Sequence, residues 1–337
     1  MLTIFRAVKK SDLEDVYQLA LTSGFGLTTL PKNKAELALR IQRSISSFKK
    51  NPEVPFDENY LFVLEDLTTN KIIGTSAIEA GVGYDLPFYA YRVSKISNVC
   101  HKLGLRVEYN VLTLNNDFQG LTEIGTLYLD SKYRTNKNGL LLSRARFLFM
   151  AFAPERFANE VIAEMRGVSD KDGISPFWQS FGSHFFKISF AKADELSVLT
   201  DKQFIADLLP QQPVQTNLLS DDAQLAIGQP HKSTIPAMKI LEKEGFSYDN
   251  YVDIFDAGPA IKAKMTEIST IKNLTKLPVV SINNVENANS YFISNTILEF
   301  RALKAQALIN DLGVVLSDDV ANALQVNIGD EIQLSKI

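Results

Sequence analysis

The sequence predicts an α+β fold, a mixed sheet with covering helices, that carries a small β-barrel-like appendage at its C-terminal end. Two observations predict it. Up to about residue 270, runs with strand spacing alternate with stretches whose apolar residues recur at helical spacing. From 276 to 337 the chain turns into short β-like pieces, enough for a small barrel near the lower size limit for independent stability. The expected organisation is one large unit over 1–270, with an insertion around 84–120 and a second αβ unit around 200–260, followed by a small β-rich domain over 276–337.

Each element has a local reason. Thr3 to Val8 reads as a first strand. Ser11-Asp12-Leu13-Glu14 has the pattern of a capping box, in which Ser and Glu reciprocally satisfy the bare amides of a helix start, and Leu13, Val16, Tyr17 and Ala20 continue at helical spacing. Ser23 and Gly24 end that helix, and a second runs from Lys34 to Phe48 with Leu37, Leu39, Ile41 and Ile45 as its apolar residues. Tyr60–Leu64 and Ile72–Ile78 flank a polar turn and predict a hairpin. The stretch from there to Gly120 is less regular, and its Phe88, Tyr89 and Tyr91 read as core. Glu123–Asp130 is a strand, a polar loop follows from Ser131 to Asn138, Gly139 opens a helix, and Val161–Met165 is the next strand. Pro176–Gly182 predicts a short helix stopped by glycine, then a strand from Phe185 to Phe190. Ile235–Phe255 repeats that order, with Gly245 as the stop and Tyr251–Phe255 as the strand. In the tail, Val279–Ile282, Tyr291–Ser294, Gly313–Leu316 and Gly329–Leu334 read as strands, and Ser317 caps a short helix.

Composition narrows the function classes. Of 337 residues, 35 are Lys or Arg and 39 are Asp or Glu, so the net charge of −4 offers no global field for nucleic acid. The single cysteine, Cys100, excludes a disulfide framework and any multi-cysteine metal site, and is expected to be buried or half-buried rather than reactive. No metal is expected. The longest apolar run, Phe147 to Ala153, is far too short to span a membrane, and positive charge follows the first apolar stretch instead of preceding it. The expected location is the cytoplasm.

The most informative local feature is a strand, then Arg134-x-x-x-x-Gly139, then a helix. A glycine at a helix start lets the backbone approach a ligand, and the first free amides face an anion such as a pyrophosphate. Arg134 could add a charged hydrogen bond, with Asn138, Gly139 and Leu140 forming the helix start. Taken alone, the feature is equally an ordinary glycine-started helix.

The order of elements around it resembles the core of GNAT acyltransferases, in which two central strands splay apart and coenzyme A inserts between them. The resemblance sharpens at Glu164-Met165-Arg166-Gly167-Val168, Ser175-Pro176-Phe177-Trp178-Gln179-Ser180, Leu241-Glu242-Lys243-Glu244-Gly245-Phe246 and Val252-Asp253-Ile254-Phe255-Asp256. Gly26-Leu27-Thr28 with Leu30-Pro31, Phe62-Val63-Leu64-Glu65-Asp66, and Thr126-Leu127 with Leu129-Asp130 extend it. In colinear order over roughly 3 to 260, these stretches resemble arginine N-succinyltransferases. The chain departs from the family pattern at Phe25, at Phe118-Gln119-Gly120 and at Gly125, which bears on the shape of the acceptor pocket.

The resemblance implies that succinyl-CoA donates a succinyl group to the α-amino group of L-arginine by direct attack in a ternary complex, the entry step of arginine catabolism, with no permanently bound cofactor. It implies that Leu127 binds succinyl-CoA and that His231 is the proton donor. Of the three histidines, His184 beside Phe185-Phe186 reads as structural and His101 as a surface residue of a helical stretch, whereas His231 lies in a loop flanked by Gly228 and Pro230. The amide of Leu127 or Tyr128 is the candidate oxyanion donor. Arg92 and Arg166 are candidates for the succinyl carboxylate, and Glu164 and Asp117 for the guanidinium, each equally open to an ordinary ion-pair role. Another acyl-CoA, ornithine as acceptor, or a non-catalytic subunit are the competing readings, and assembly as a homodimer or with a similar subunit is expected.

Overall fold

The structure, a computed structural model, describes residues 2–24, 27, 29–84, 86–171, 173–189, 207–286 and 288–337. In chain order the elements begin with β1 (Thr3–Ala7), α1 (Leu13–Thr22), α2 (Lys34–Lys49), β2 (Asn59–Asp66) and β3 (Lys71–Glu79). The next are β4 (Ala90–Cys100), β5 (Leu105–Asn115), β6 (Thr122–Leu129), α3 (Asn138–Phe152) and β7 (Glu160–Glu164). Then follow α4 (Ser183–Phe186), β8 (Val214–Gln215), α5 (Asp221–Ala226), α6 (Ile235–Lys243), β9 (Ser247–Val252), β10 (Pro259–Lys264) and α7 (Ser269–Lys272). The tail holds β11 (Thr275–Ile282), β12 (Asn289–Asn295), β13 (Arg301–Asn310), β14 (Gly313–Leu316), α8 (Asp318–Leu324) and β15 (Glu331–Lys336).

One strand ladder runs β12-β15-β11-β14-β13-β1-β2-β3-β6-β7-β10-β9-β4-β5-β8, and an extra β12–β13 pairing closes its first five strands into a barrel. The expected mixed α+β core and small C-terminal barrel are thus both present. Around the centre every pairing is antiparallel except β6 with β7. Helix α3 buries Leu141, Leu142, Phe147, Leu148, Phe149 and Met150 and covers one sheet face, while α1 and α2 cover the other with Val16, Leu19, Leu37 and Ile41.

Several elements differ from the expectation, each for a physical reason. The less regular stretch before Gly120 is a long hairpin, β4 with β5, paired in unbroken register from Ala90↔Asn115 to Cys100↔Leu105. Its alternation is obscured because the residues of the outer half are exposed: Cys100 and His101 sit at the tip, so Cys100 is not buried and His101 is not helical. Leu39 is 72% exposed, leaving Leu37 and Ile41 to anchor α2. The start of α1 uses Asp12, not a Ser11–Glu14 box: its buried carboxylate accepts from the Lys9 amide and pairs with both Nη atoms of Arg6. Gly182 does not stop the helix after Pro176, which continues through a π turn into α4, so 185–186 are helical. Gly182 is there for packing, since a Cβ would lie 2.3 Å from the Trp178 ring. Residue 190, the end of that expected strand, and Phe25 lie outside the described residues. The strand after Gly245 begins and ends earlier than expected, at Ser247–Val252, and β13 is a ten-residue strand absent from the sequence expectation. No helix among the described residues is long and apolar enough to cross a membrane.

The barrel is continuous with the central core. β13 pairs with β1 at Phe5↔Ala302. The fully buried Phe300 ring stands 5.2 Å from Phe149 and 6.2 Å from Phe62, centroid to centroid. Arg144 of α3 pairs with Glu244 at 2.8 Å and donates to Lys336 O at 2.9 Å and Ser335 Oγ at 3.1 Å, stitching the last strand to the main body. Phe300→Ala is expected to destabilise the whole protein by about 3–5 kcal/mol, the range for truncating a buried aromatic. Urea unfolding should keep a single transition at lower midpoint; a separate early transition of the barrel would contradict this shared core.

Candidate active site

The site is organised by a strand pair that comes apart. β6 and β7 pair in parallel only at Thr122↔Val161 and Glu123↔Ile162, after which the two strands separate. On β6 the separation coincides with a bulge: its register with β3 shifts between Ala77↔Gly125 and Thr75↔Tyr128, and Thr126 takes φ 54°. The Thr75 hydroxyl donates to Thr126 O at 3.0 Å and holds the bulge. Successive residues of a strand present their backbone groups to alternate edges. The Asp130 amide faces β3 by bonding Ile73 O, and Leu129 O faces the other edge, where Arg134 Nε donates to it at 3.1 Å. The backbone of Leu127, two residues earlier, therefore faces the open edge.

Below this edge α3 begins. Asn136 and Lys137 both have left-handed backbones, φ 51° and 63°, which turn the chain into the helix. The amides of Gly139 and Leu140 make no hydrogen bond among the described residues, so the helix start presents free donors. Asn138 is different from the expectation. Its side chain is buried and structural, donating to Tyr133 O at 3.1 Å and accepting from Thr3 Oγ1 at 3.2 Å, and its amide is spent on Thr135 O. Tyr128 also has its hydroxyl engaged, with Thr22 O at 2.9 Å.

The far side of the opening is built by β7 and its continuation. Met165 N–H donates to Pro259 O, toward β10. On the opposite edge Arg166 O accepts the His231 amide at 2.7 Å, and Gly167 bridges to Pro230. His231 is thereby pinned to the strand edge that β6 has left. A buried carboxylate sets this edge: Asp256 accepts from the amides of Gly167 at 2.7 Å and Gly258 at 2.8 Å. Burial, and then the nearby Asp253, push the Asp256 carboxyl well above the usual range. Gly258 admits the close approach, since a Cβ there would lie 2.1 Å from Met165 O.

His231 is half-buried, and its Nδ1 lies 2.6 Å from Ser233 Oγ and 3.1 Å from the Ser233 amide. The amide donates to a bare Nδ1, and the hydroxyl can accept from a protonated one, so Ser233 can serve both states of the ring. Burial, then Arg166 and Lys232, lower the His231 pKa below the ordinary histidine range.

Register places the remaining candidates on one face. Arg92↔Tyr251, Tyr251↔Ala260 and Ala260↔Glu164 are successive cross-strand partners, so Arg92, Tyr251 and Glu164 stand in a row. With strands about 4.8 Å apart, this row is roughly 14 Å long. Asp117 joins it by accepting from Tyr251 Oη at 2.6 Å; burial, and then this bond, push the Tyr251 pKa up to about 12. Arg92 is exposed and stands 5.9 Å over the Tyr251 ring. Arg166 donates to Ser169 Oγ at 2.7 Å. Glu164 at the end of β7, Arg166 just beyond it and His231 thus line one wall, Leu127, Arg134, Gly139 and Leu140 the other, while Arg92, three strands from Glu164, and Asp117 gather around Tyr251. Glu123↔Ile162 and Glu79↔Glu123 extend the same face toward α2. The α3 start serves the opposite face. Sequence reasoning missed Asp256, Ser233, Glu79 and Arg40; for Arg40 the signal was a charge on the buried stripe of α2, between Leu37 and Ser44.

Comparison with known proteins finds relatives along the whole chain. A sequence model of the arginine N-succinyltransferase beta subunit matches residues 3–270, and one of its C-terminal domain matches 275–336. The chain is 40% identical to an arginine N-succinyltransferase of Yersinia pestis (strain Pestoides F), over 98% of this chain and 96% of that protein. It is 39% identical to one of Escherichia coli (strain 55989 / EAEC), over 99% and 97%. The solved structure of arginine/ornithine succinyltransferase subunit AI from Pseudomonas aeruginosa is 34% identical and superposes with a TM-score of 0.90 over 99% of this chain and 98% of that one.

Titration of His231 by NMR should give a pKa below the ordinary histidine value. Arg166→Gln removes a positive neighbour and should move it upward; an unchanged value would remove Arg166 from the imidazole's surroundings.

Proposed function

The chain belongs to the arginine N-succinyltransferase family, a family of acyltransferases, and we propose that it moves the succinyl group of succinyl-CoA to the α-amino group of L-arginine in a ternary complex. The observation that carries this reading is the opening between β6 and β7, with free helix-start amides at one wall and His231 pinned to the other. In this reading the pyrophosphate lies on the amides of Gly139 and Leu140, with Arg134 beside it. The thioester lies along the open edge at Leu127, whose amide N–H donates to the developing oxyanion. The acyl group then reaches the face shared by Glu164, Tyr251 and α2.

The acceptor enters as an ammonium and attacks only as an amine. With its lowered pKa, His231 is neutral at pH 7 and takes a proton from the ammonium, Ser233 Oγ accepting from Nδ1–H. The amine nitrogen bonds to the thioester carbon, the C–S bond breaks, and the imidazolium gives its proton to the departing thiolate. The amide nitrogen's second proton leaves to solvent. Glu164 and Asp117 supply carboxylates for a guanidinium, and Arg166 and Arg92 cations for a carboxylate; their common face supports these roles. Assembly with a second copy or a similar subunit has support too: the solved relative is a subunit, and the β4–β5 arm leaves Val107 and Leu105 about half exposed on one face.

A thiol-release assay with succinyl-CoA and acetyl-CoA against arginine and ornithine tests the reading; the expected preferred pair is succinyl-CoA with arginine. A preference for ornithine would change the acceptor, and no release with any pair would refute catalysis. His231→Ala should lower kcat by about 10²–10⁴-fold, the usual weight of a general acid–base group. Arg134→Ala should raise the KM for the donor with little change in kcat; an effect on the acceptor alone would contradict its placement.

A further inference from the structure

Arg40 lies on the buried stripe of α2 beside the bulge of β6, and its side chain is 15% exposed. Nη2 donates to Glu79 Oε1 at 3.0 Å and to Thr126 Oγ1 at 3.1 Å. Thr126 is the bulged residue itself, adjacent to Leu127 on the open edge. Nε is buried without a hydrogen-bond partner. Among the described residues, the only carboxylate bonded to Arg40 is already shared, because Glu79 Oε1 also accepts from Asn59 Nδ2. A largely buried guanidinium whose Nε has no partner is expensive unless an anion completes it. The planar fork matches a carboxylate. Phosphates do not fit the position, since the free amides that suit them are those of α3, which covers the opposite face of the sheet.

We propose that Arg40 is a specificity residue that reads a substrate carboxylate at the bulge: the terminal carboxylate of the succinyl donor or the α-carboxylate of the amino-acid acceptor. The inference rests on the acyl-transfer reading above, in which both substrates carry such a group. Held by Glu79 and Thr126, the guanidinium is oriented before substrate arrives, so a carboxylate meets a fixed donor set.

The test compares each substrate with a neutral counterpart: succinyl-CoA against butyryl-CoA, and arginine against argininamide. In Arg40→Gln, kcat/KM should fall about 10²-fold for the substrate whose carboxylate is read, the weight of a lost charge-assisted pair, and little for its neutral counterpart. A selective loss on succinyl-CoA assigns the donor carboxylate, and a selective loss on arginine assigns the acceptor carboxylate; either supports the proposal. An equal fall on charged and neutral substrates, or no fall, overturns it. Arg40→Lys keeps the cation and should retain part of the discrimination, so the question stays decidable if Arg40→Gln folds poorly by circular dichroism. A wild-type enzyme that transfers no acyl group would refute the acyl-transfer reading instead, which separates the two failures.

Discussion

A strand edge left open in the middle of a sheet is the constraint on which the rest of this molecule depends. Backbone donors and acceptors there have lost their ladder, and a buried unpaired amide or carbonyl costs about as much as a lost hydrogen bond. The chain meets this with local substitutes. Arg134 takes Leu129 O, and the His231 amide takes Arg166 O. These substitutes stabilise the gap and at the same time bring the chemistry to it, since one carries a guanidinium and another an imidazole. The Leu127 edge, between them, is what remains for a ligand.

The two faces of the sheet are electrostatically distinct. On one, α3 presents bare amides that favour an anion. On the other, Glu79, Glu123, Glu164 and Arg92 share a surface bordered by Arg40, a mixture suited to a solute bearing both signs. A molecule that is phosphate-rich at one end and acylated at the other can span such a sheet only by passing through it, which the separation of β6 and β7 allows. The position of His231 depends in turn on the Asp253–Gly258 loop, where the buried Asp256 carboxyl holds Gly167 in line.

Much of this was legible in the sequence where local rules govern. The Arg134–Gly139 spacing located the α3 start because a helix terminus is a short-range feature. His231 stood out because Gly228 and Pro230 put it in a loop. What was not legible depends on distant partners. Asn138 looked like a ligand group but is spent on Thr3, 135 residues away in sequence. Gly182 looked like a helix stop, yet its lack of a side chain serves the Trp178 ring. The β4–β5 arm was obscured because its outer half faces solvent on both sides, so no burial imposes a two-residue period. Arg40 acquires meaning only when α2 is laid over Glu79 and Thr126, strands that lie 39 and 86 residues further along.

The closed barrel, finally, bears on how such a protein could have diverged. Its sequence segment begins just beyond residue 270, as though it were a cassette. Its β13 nevertheless lends an edge to β1, the Phe300 ring packs among Phe5, Phe62 and Phe149, and Arg144 of α3 stands over the Phe292 ring. Shuffling that cassette between distant homologues would separate each aromatic from its partners and leave β1 with a bare flank. Recombination at this seam is therefore disfavoured, and the two ends of the gene are bound to drift together.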